Sequence, residues 1–461
     1  MDPNPHLFRA HEPRSRRRES AHLPRIGLNP AVQTTKYTKH TKAETDGPMA
    51  LFSSLVNDGV AASPSFFVSF VFFVVPTALL RTKCLRRLTA AATRVLSLFA
   101  LLLLSLGCRH ARPAFFPLGI YAVPSTNDLM IVREAGFNLV TGPAEAAYLD
   151  AAQREGLKVL ATPGTTAGPG FRPKAARRAV AALDAHPALW AWYLVDEPDL
   201  HKINPRQVRE AQELLKRTGA RKPTALTLYT GANALHYANL TDILMIDRYP
   251  IPWLPLANFG QHVQQARLAL GQEKPLIAII QSFDWTYYPD LLLARGPLRP
   301  PTYDEVRCMT YCALAQRATG LFYCAYADSR WKILDHPQSW LDLQRVVWEV
   351  NERLPLFQAE HRWWPHAYNY RDWSKGWNAA LESSISLELL RVRHGSALVP
   401  AGDYVLAVNT TPQALVYSFT PPRRGAERLS ALGENRSLEI RAGWVEDEFA
   451  PYAVHVYGPV Q

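Results

Sequence analysis

From Pro117 onward, short apolar runs alternate with amphipathic stretches. The apolar runs predict strands at Leu118–Val123, Asn138–Thr141, Lys158–Thr162, Leu189–Val195, Thr224–Tyr229, Ile243–Asp247, Leu276–Gln281 and Gly320–Tyr326. Unbroken apolar runs of this length suit strands buried on both faces, as in a parallel sheet covered by helices. Between them, apolar residues recur at helical spacing over Asn127–Gly136, Ala144–Gly156, Pro173–Ala185, Pro205–Gly219 and Thr302–Thr319. Ser125, Asn204 and Thr302 stand where helix N-caps belong, and Gly136, Gly156 and Gly219 stand where helices stop. Eight strand–helix units between residues 115 and 358 predict an α/β fold of the (β/α)8 type. A doubly wound open sheet is the rival, but no glycine-rich phosphate loop follows the first strand.

After the helix Ser339–Leu354 the period changes from helical to two. Ile385–Val392, Asp403–Asn409, Ala414–Phe419, Ser437–Ile440 and Ala453–Tyr457 alternate apolar and polar residues between turn signals. These predict an antiparallel β-sandwich over residues 359–461, following a barrel over 113–358. Such a module serves either as a stabilising cap, the favoured reading, or as a carbohydrate-binding unit.

The fourth strand is the most informative stretch. LWAWYLVDEPD (Leu189–Asp199) runs from apolar residues straight into Asp196-Glu197-Pro198. Proline cannot donate to a ladder, so the strand should stop there. Its carboxylates then sit at the C-terminal edge, where a barrel of this kind carries its chemistry. Other polar and aromatic residues fall after strand ends too. They are Tyr121, Tyr229, Asp247-Arg248-Tyr249, Gln281, Asp284-Trp285, Tyr326 and Asp328. Carboxylates and amides bond hydroxyls, and rings stack on the apolar faces of sugars, so this set suits carbohydrate recognition. Expected substrate contacts are Tyr121, Asp196, Tyr229, Tyr249, Gln281, Trp285 and Tyr326, with Trp253 a further platform. The loop Phe283–Pro301, with Trp285, Tyr287 and Tyr288, should wall one side of the cleft. Bland readings compete: Glu197 or Asp247 could pair with Arg248, and His236 could simply pack or face solvent.

With Asp196-Glu197-Pro198 at the end of strand four, the barrel resembles the clan-A glycoside hydrolases. There the acid/base is a Glu at that position, in Asn-Glu or Asp-Glu context. The segment RPPTYDEVRCMTYCALAQRATGLFYCAY (Arg299–Tyr326) is similar to uncharacterised bacterial barrels of this type. The resemblance implies Glu197 as proton donor. It also implies a nucleophile Glu at the end of strand seven, but LIAIIQSFDW presents Gln281 there. An amide cannot attack an anomeric carbon. Either Asp284 or Asp247 takes the role of anionic partner, or the barrel binds sugar without cleaving it.

Charge and cysteines refine this picture. Of 51 Lys+Arg and 40 Asp+Glu, residues 1–112 hold 16 and 6, which leaves 35 and 34 for the remainder. The net charge of +11 thus belongs to the leader, and the folded part offers no electrostatic case for nucleic acid. Residues 1–50 are Arg-rich and aperiodic. Two apolar segments follow, Phe66–Leu80 and Val95–Gly107, the second preceded by basic Arg81–Arg94. This is the layout of an export signal. Leu104-Ser105-Leu106-Gly107-Cys108 resembles a bacterial lipoprotein box, which implies lipid attachment at Cys108. A plain apolar membrane anchor is the alternative. Cys308, Cys312 and Cys324 lie in core elements and indicate no disulfide framework. No metal-ligand constellation or cofactor motif stands out.

Overall fold

The computed structural model describes residues 115–164, 171–289, 297–370 and 384–460. The leader, with the expected export signal and Cys108, lies outside the described residues. Among those residues no helix is long and apolar enough to cross a membrane.

Eight parallel strands close a barrel in sequential order. They are β1 (Leu118–Ile120), β2 (Leu139–Gly142), β3 (Lys158–Ala161), β4 (Leu189–Val195), β5 (Thr224–Leu228), β6 (Ile243–Asp247), β7 (Leu276–Gln281) and β8 (Gly320–Cys324). The helices are α1 (Leu129–Glu134), α2 (Ala146–Arg154), α3 (Pro173–Leu183), α4 (Pro205–Arg217) and the short α5 (Ala234–Tyr237). They continue with α6 (Leu256–Leu270), α7 (Tyr303–Ala315), α8 (Pro337–Glu352) and α9 (Leu354–Phe357). Their apolar faces join the strands in one core. Asn204 and Thr302 cap α4 and α7 through reciprocal capping boxes with Gln207 and Glu305. These boxes satisfy amide donors that a helix start leaves open.

β1 and β8 are shorter than their apolar runs predict. Ala122 takes a left-handed φ of 59° and turns the chain off the ladder. The segments beyond still cross-bond, Tyr326 N–H to Tyr121 O at 2.8 Å and Ala327 N–H to Ala122 O at 3.0 Å. β4 runs its full predicted length. Its Trp192 is enclosed and donates Nε1–H to Asp184 at 2.9 Å. Asp184 also accepts the Arg221 and Lys222 amides ahead of β5. One carboxylate thereby ties the approaches to two strands.

The C-terminal region forms two antiparallel sheets. The six-stranded sheet has the order β15 (Arg436–Glu439), β14 (Arg428–Ala431), β17 (Val454–Val460), β12 (Gly402–Asn409), β11 (Ile385–Val392), β9 (Glu360–Arg362). The other sheet is β10 (Tyr368–Tyr370), β13 (Leu415–Phe419), β16 (Val445–Phe449). β12 shows how the layers are organised. Leu406 and Val408 enter the barrel's core, while Val405 and Ala407 enter a second core between the sheets. Alternation sends successive side chains to opposite faces, and here both faces are covered. Four strands escape the sequence reading: β9, β10, β14 and β16. In β16 the inward positions are Val445, Asp447 and Phe449, and the buried Asp447 breaks the apolar signal. Its charge is met by Arg436, at 2.7 and 2.8 Å, and by the Tyr457 hydroxyl.

Candidate active site

Glu197 follows β4 by one residue beyond Asp196 and has a left-handed φ of 38°. Adjacent residues on an extended strand point to opposite faces. The left-handed turn at Glu197 breaks that rule, and both carboxyls join one electrostatic cluster with Asp247 at the end of β6. The Glu197 and Asp247 carboxyls lie close enough to act on one another electrostatically. The Glu197 side chain is 13% exposed, and its one ion-pair partner among the described residues is half-exposed His201, at 3.8 Å. His201 N–H also caps the turn by donating to Glu197 O at 2.9 Å.

Burial, then the charge of Asp196, push the Glu197 carboxyl up to about 8, against an opposing hydrogen bond from Asp247. Burial, then the charges of Glu197 and Asp196, raise Asp247 well above the carboxylate range. Removing water disfavours the charged form, and like charges nearby add to the effect. All three clustered carboxyls are therefore shifted toward the protonated form. Asp247 Oδ1 is enclosed and meets no hydrogen-bond donor, while Oδ2 lies 3.4 Å from the Tyr249 hydroxyl.

Asp196 is held from below. The Tyr193 hydroxyl donates to Asp196 Oδ1. Tyr193 in turn bonds Thr227 at 2.7 Å and the Tyr121 hydroxyl at 3.2 Å. Burial raises the Asp196 carboxyl, opposed by the Tyr193 bond and His201. Asp199 accepts from Tyr229 N, Thr230 N and Asn233 Nδ2 at 2.9–3.1 Å, which fixes the chain after β5.

Several sequence expectations land elsewhere. Gln281 is fully enclosed: its Oε1 accepts Ile251 N–H at 3.0 Å and its Nε2 donates to Ile251 O at 2.9 Å. It braces the loop after β6 and does not face a substrate. Asp284 caps a short turn by accepting Thr286 N–H at 2.8 Å. Tyr121 lies beneath Asp196 as a support, enclosed with Thr227. Tyr326 is enclosed against Trp340, away from the cluster. One face of Tyr229 carries the Arg248 guanidinium, 4.5 Å from the ring centre. Arg248 also donates to Asn258 at 2.8 Å, and pairs with neither Glu197 nor Asp247 among the described residues.

The aromatic residues do gather. Tyr249, Phe283 and Trp285 pack edge to face, with centroids 4.8–6.3 Å apart, and Trp253 lies 5.8 Å from Trp285. The Trp253 and Trp285 indole N–H groups are enclosed without an acceptor. Sequence reading passed over Tyr193, Asp199, His201 and Thr227. The Tyr193–Asp196 and Glu197–His201 spacings were visible in the chain, but nothing there revealed the turn at Glu197 that makes them matter. Among the described residues no group of three or more His, Cys, Asp or Glu is arranged to hold a metal ion. A separate cavity of about 310 Å³ between α6, α7 and β11 shares no lining residue with this cluster.

No protein-family model matches the chain, and no curated protein sequence matches it either. Solved structures do resemble it. A β-galactosidase from Bacillus circulans sp. alkalophilus aligns at TM-score 0.49 and 9% identity, over 74% of this chain and 99% of that one. A β-galactosidase from G. stearothermophilus aligns at 0.49 and 10%, over 75% and 98%. An α-amylase from Geobacillus thermoleovorans, complexed with acarbose, aligns at 0.46 and 10%, over 72% and 90%. Likeness this distant does not bear on activity. The chain's own strand order defines its class: an eight-stranded parallel barrel, followed by an antiparallel β region, with a cluster of carboxyls at the C-terminal ends of β4 and β6.

Proposed function

We propose that the chain is a glycoside hydrolase acting on an oligo- or polysaccharide, with Glu197 as its general acid. One observation carries the reading. Glu197 sits at a barrel strand end and keeps its proton to about pH 8, where an ordinary glutamate has lost it. A proton donor near neutral pH is what departure of a sugar alkoxide requires. Burial and the charge of Asp196 hold that proton in place. The aromatic group Tyr249, Trp253 and Trp285 supplies apolar ring surface for a sugar face.

The test is turnover of a glycan panel by wild type and by Glu197→Gln. Loss of an acid catalyst should lower kcat about 10²- to 10⁴-fold. Undiminished turnover in the variant would remove Glu197 from the chemistry. A second reading, sugar capture without cleavage, is favoured by Gln281 standing at the end of β7. It predicts saccharide binding by calorimetry with no turnover by either protein.

Export and lipid anchoring at Cys108 are part of this proposal. Their support is the order of basic Arg81–Arg94, apolar Val95–Gly107 and Cys108. Radiolabelled fatty acid should enter the wild type and not Cys108→Ala; equal labelling rejects the anchor.

A further inference from the structure

Eight parallel strands start on one face of the barrel and end on the other. The carboxyl cluster occupies the end face, and the start face carries a different arrangement. Lys158 opens β3, Arg221 and Lys222 lead into β5, and Lys274 leads into β7. Lys216 lies in the last turn of α4, which runs back to the same face. The Lys158 and Lys274 ammonium groups donate to the backbone carbonyls of Pro187 and Ala238. None of the five cations has a carboxylate at ion-pair distance among the described residues.

The neighbouring acids are mostly committed. Asp184 accepts from Trp192 Nε1 and from the Arg221 and Lys222 amides. Asp242 accepts the Thr224 N–H and hydroxyl, each at 2.8 Å. Glu213 pairs with Arg217, Glu155 with Arg133 and Asp150 with His186. Setting Asp184, Asp242 and exposed Glu273 against the five cations still leaves a positive surplus. Burial, then the charge of Lys158, hold the Lys222 ammonium below its ordinary range. Burial lowers Lys274 as well; Asp242 opposes this and Lys216 adds to it. Cations that press on one another gain from a nearby anion. A hollow of about 280 Å³ opens among Lys216, Arg221, Lys222 and Asp242.

Two observations indicate which anion. The cations are spread over the starts of three strands and the end of a helix, which matches a charged surface better than one small ion. The chain also enters the barrel on this face, at Phe115, seven positions after Cys108. Phe115 is 46% exposed, and its ring lies 6.4 Å from that of Trp190 at the start of β4. An exposed aromatic ring beside clustered lysines suits a phospholipid headgroup layer.

Resting on the anchor proposed above for its tether, we infer that the strand-start face of the barrel docks on an anionic phospholipid surface. Headgroup phosphates meet the five cations, and Phe115 enters the headgroup layer. The Glu197 end of the barrel then faces away from the bilayer, open to a saccharide arriving from solution. A covalent lipid and a basic surface near it reinforce each other, since each raises the effective concentration of the other at the bilayer.

The test uses the full chain with Cys108→Ala, so that no lipid is attached at that position. Its partners are vesicles of phosphatidylcholine, alone or mixed with phosphatidylglycerol. Sedimentation should show binding to the mixed vesicles that weakens with added salt. The triple variant Lys216→Gln, Arg221→Gln, Lys222→Gln should bind them about 100-fold more weakly. Asp184 bonds the backbone of Arg221 and Lys222, so these changes spare its contacts. Removing the same charge near the opposite end of the barrel, by Lys202→Gln, Arg206→Gln and Arg209→Gln, should leave binding within error. The leader's basic residues are common to both triples, so the contrast between them reports on the barrel. Equal loss in both triples, or none in either, overturns the docking face. Displacement from the vesicles by millimolar inorganic phosphate also overturns it, marking a site for a small free anion. Tighter binding to heparin than to the mixed vesicles overturns it too, marking a soluble polyanion. Absence of fatty-acid labelling at Cys108, with the two triples still distinguished, overturns the anchor and leaves the docking face standing.

Discussion

At the scale of single residues, the protonation of Glu197 makes a claim about stability as well as chemistry. In the unfolded chain a glutamate releases its proton near 4.5, and in the folded protein Glu197 releases it near 8. Across that window the unfolded state has already lost a proton that the native state keeps. Stability linked to Glu197 is therefore complete below about 4.5, declines as pH rises toward 8, and then levels off. Glu197→Gln removes the penalty. Its melting temperature should match the wild type in acid and exceed it clearly at pH 8. Parallel melting curves at every pH would contradict this. The same titration sets activity, with kcat/KM falling about tenfold per pH unit on the alkaline side once Glu197 is ionised. Tyr193→Phe probes the support below. It strips the hydroxyl that holds Asp196 and should cost about 1–3 kcal/mol by denaturant unfolding, with a fall in kcat. Sequence alone marked Glu197 through its place after an apolar strand. It could not mark the approach of Glu197 to Asp247, because that approach depends on β4 and β6 flanking β5 in the closed barrel, with the two residues 50 positions apart in the chain.

At the scale of elements, Gln281 shows how a strand-end residue is used for construction. Its amide bonds both the N–H and C=O of Ile251, so β7 braces the loop that carries Trp253. Gln281→Leu keeps the volume and abandons both backbone groups in an enclosed site. The expected loss is on the order of 2–6 kcal/mol from two unmet groups. KM should rise as the Trp253 loop loosens, while a Gln281 that acted on substrate would change kcat at unaltered stability. The elements themselves were largely readable. β4, β6 and β7 begin and end where the apolar runs do, because their runs stop at charged, amide or proline-flanked positions. The Asn204 and Thr302 caps were equally visible, since capping chemistry is local. β1 and β8 were overextended because a left-handed turn at Ala122 leaves no mark on hydrophobic pattern. β9 and β14 are short, and β16 hides a charge inside, so period two did not register. Asp284 was drawn toward chemistry by its place after β7, yet turn-capping is the ordinary use of an aspartate there.

For the whole molecule, the distribution of apolar side chains predicts how it unfolds. Leu390, Val392, Leu406, Val408, Val454 and Val456 of the C-terminal sheet belong to the barrel's own core. A buried ion network joins the same layers. Arg307 on α7 forks onto Glu349 of α8 at 2.8 and 2.9 Å, Arg353 reaches Glu349 at 2.8 Å, and Tyr311 donates to it at 2.9 Å. Arg307 also extends to Val454 O at 3.4 Å, on β17. Burial works against Glu349's charge, but the Arg307 bond and charge outweigh it and hold the carboxyl below its ordinary range. Removing Glu349 leaves two guanidinium groups with little water and no counter-charge, a change that typically costs about 3–5 kcal/mol. Glu349→Ala should therefore lower the denaturation midpoint strongly, whereas Arg217→Ala, which breaks an exposed pair with Glu213, should leave it within error. Barrel and sheet should also melt together, since neither buries its facing surface alone. Calorimetry should give one transition in the wild type. In Glu349→Ala the transition should move to lower temperature without splitting, because the shared apolar layer still couples the two halves. A split into two well-separated peaks would show that the layer does not bind the sheet to the barrel, and that the C-terminal region folds as an independent module.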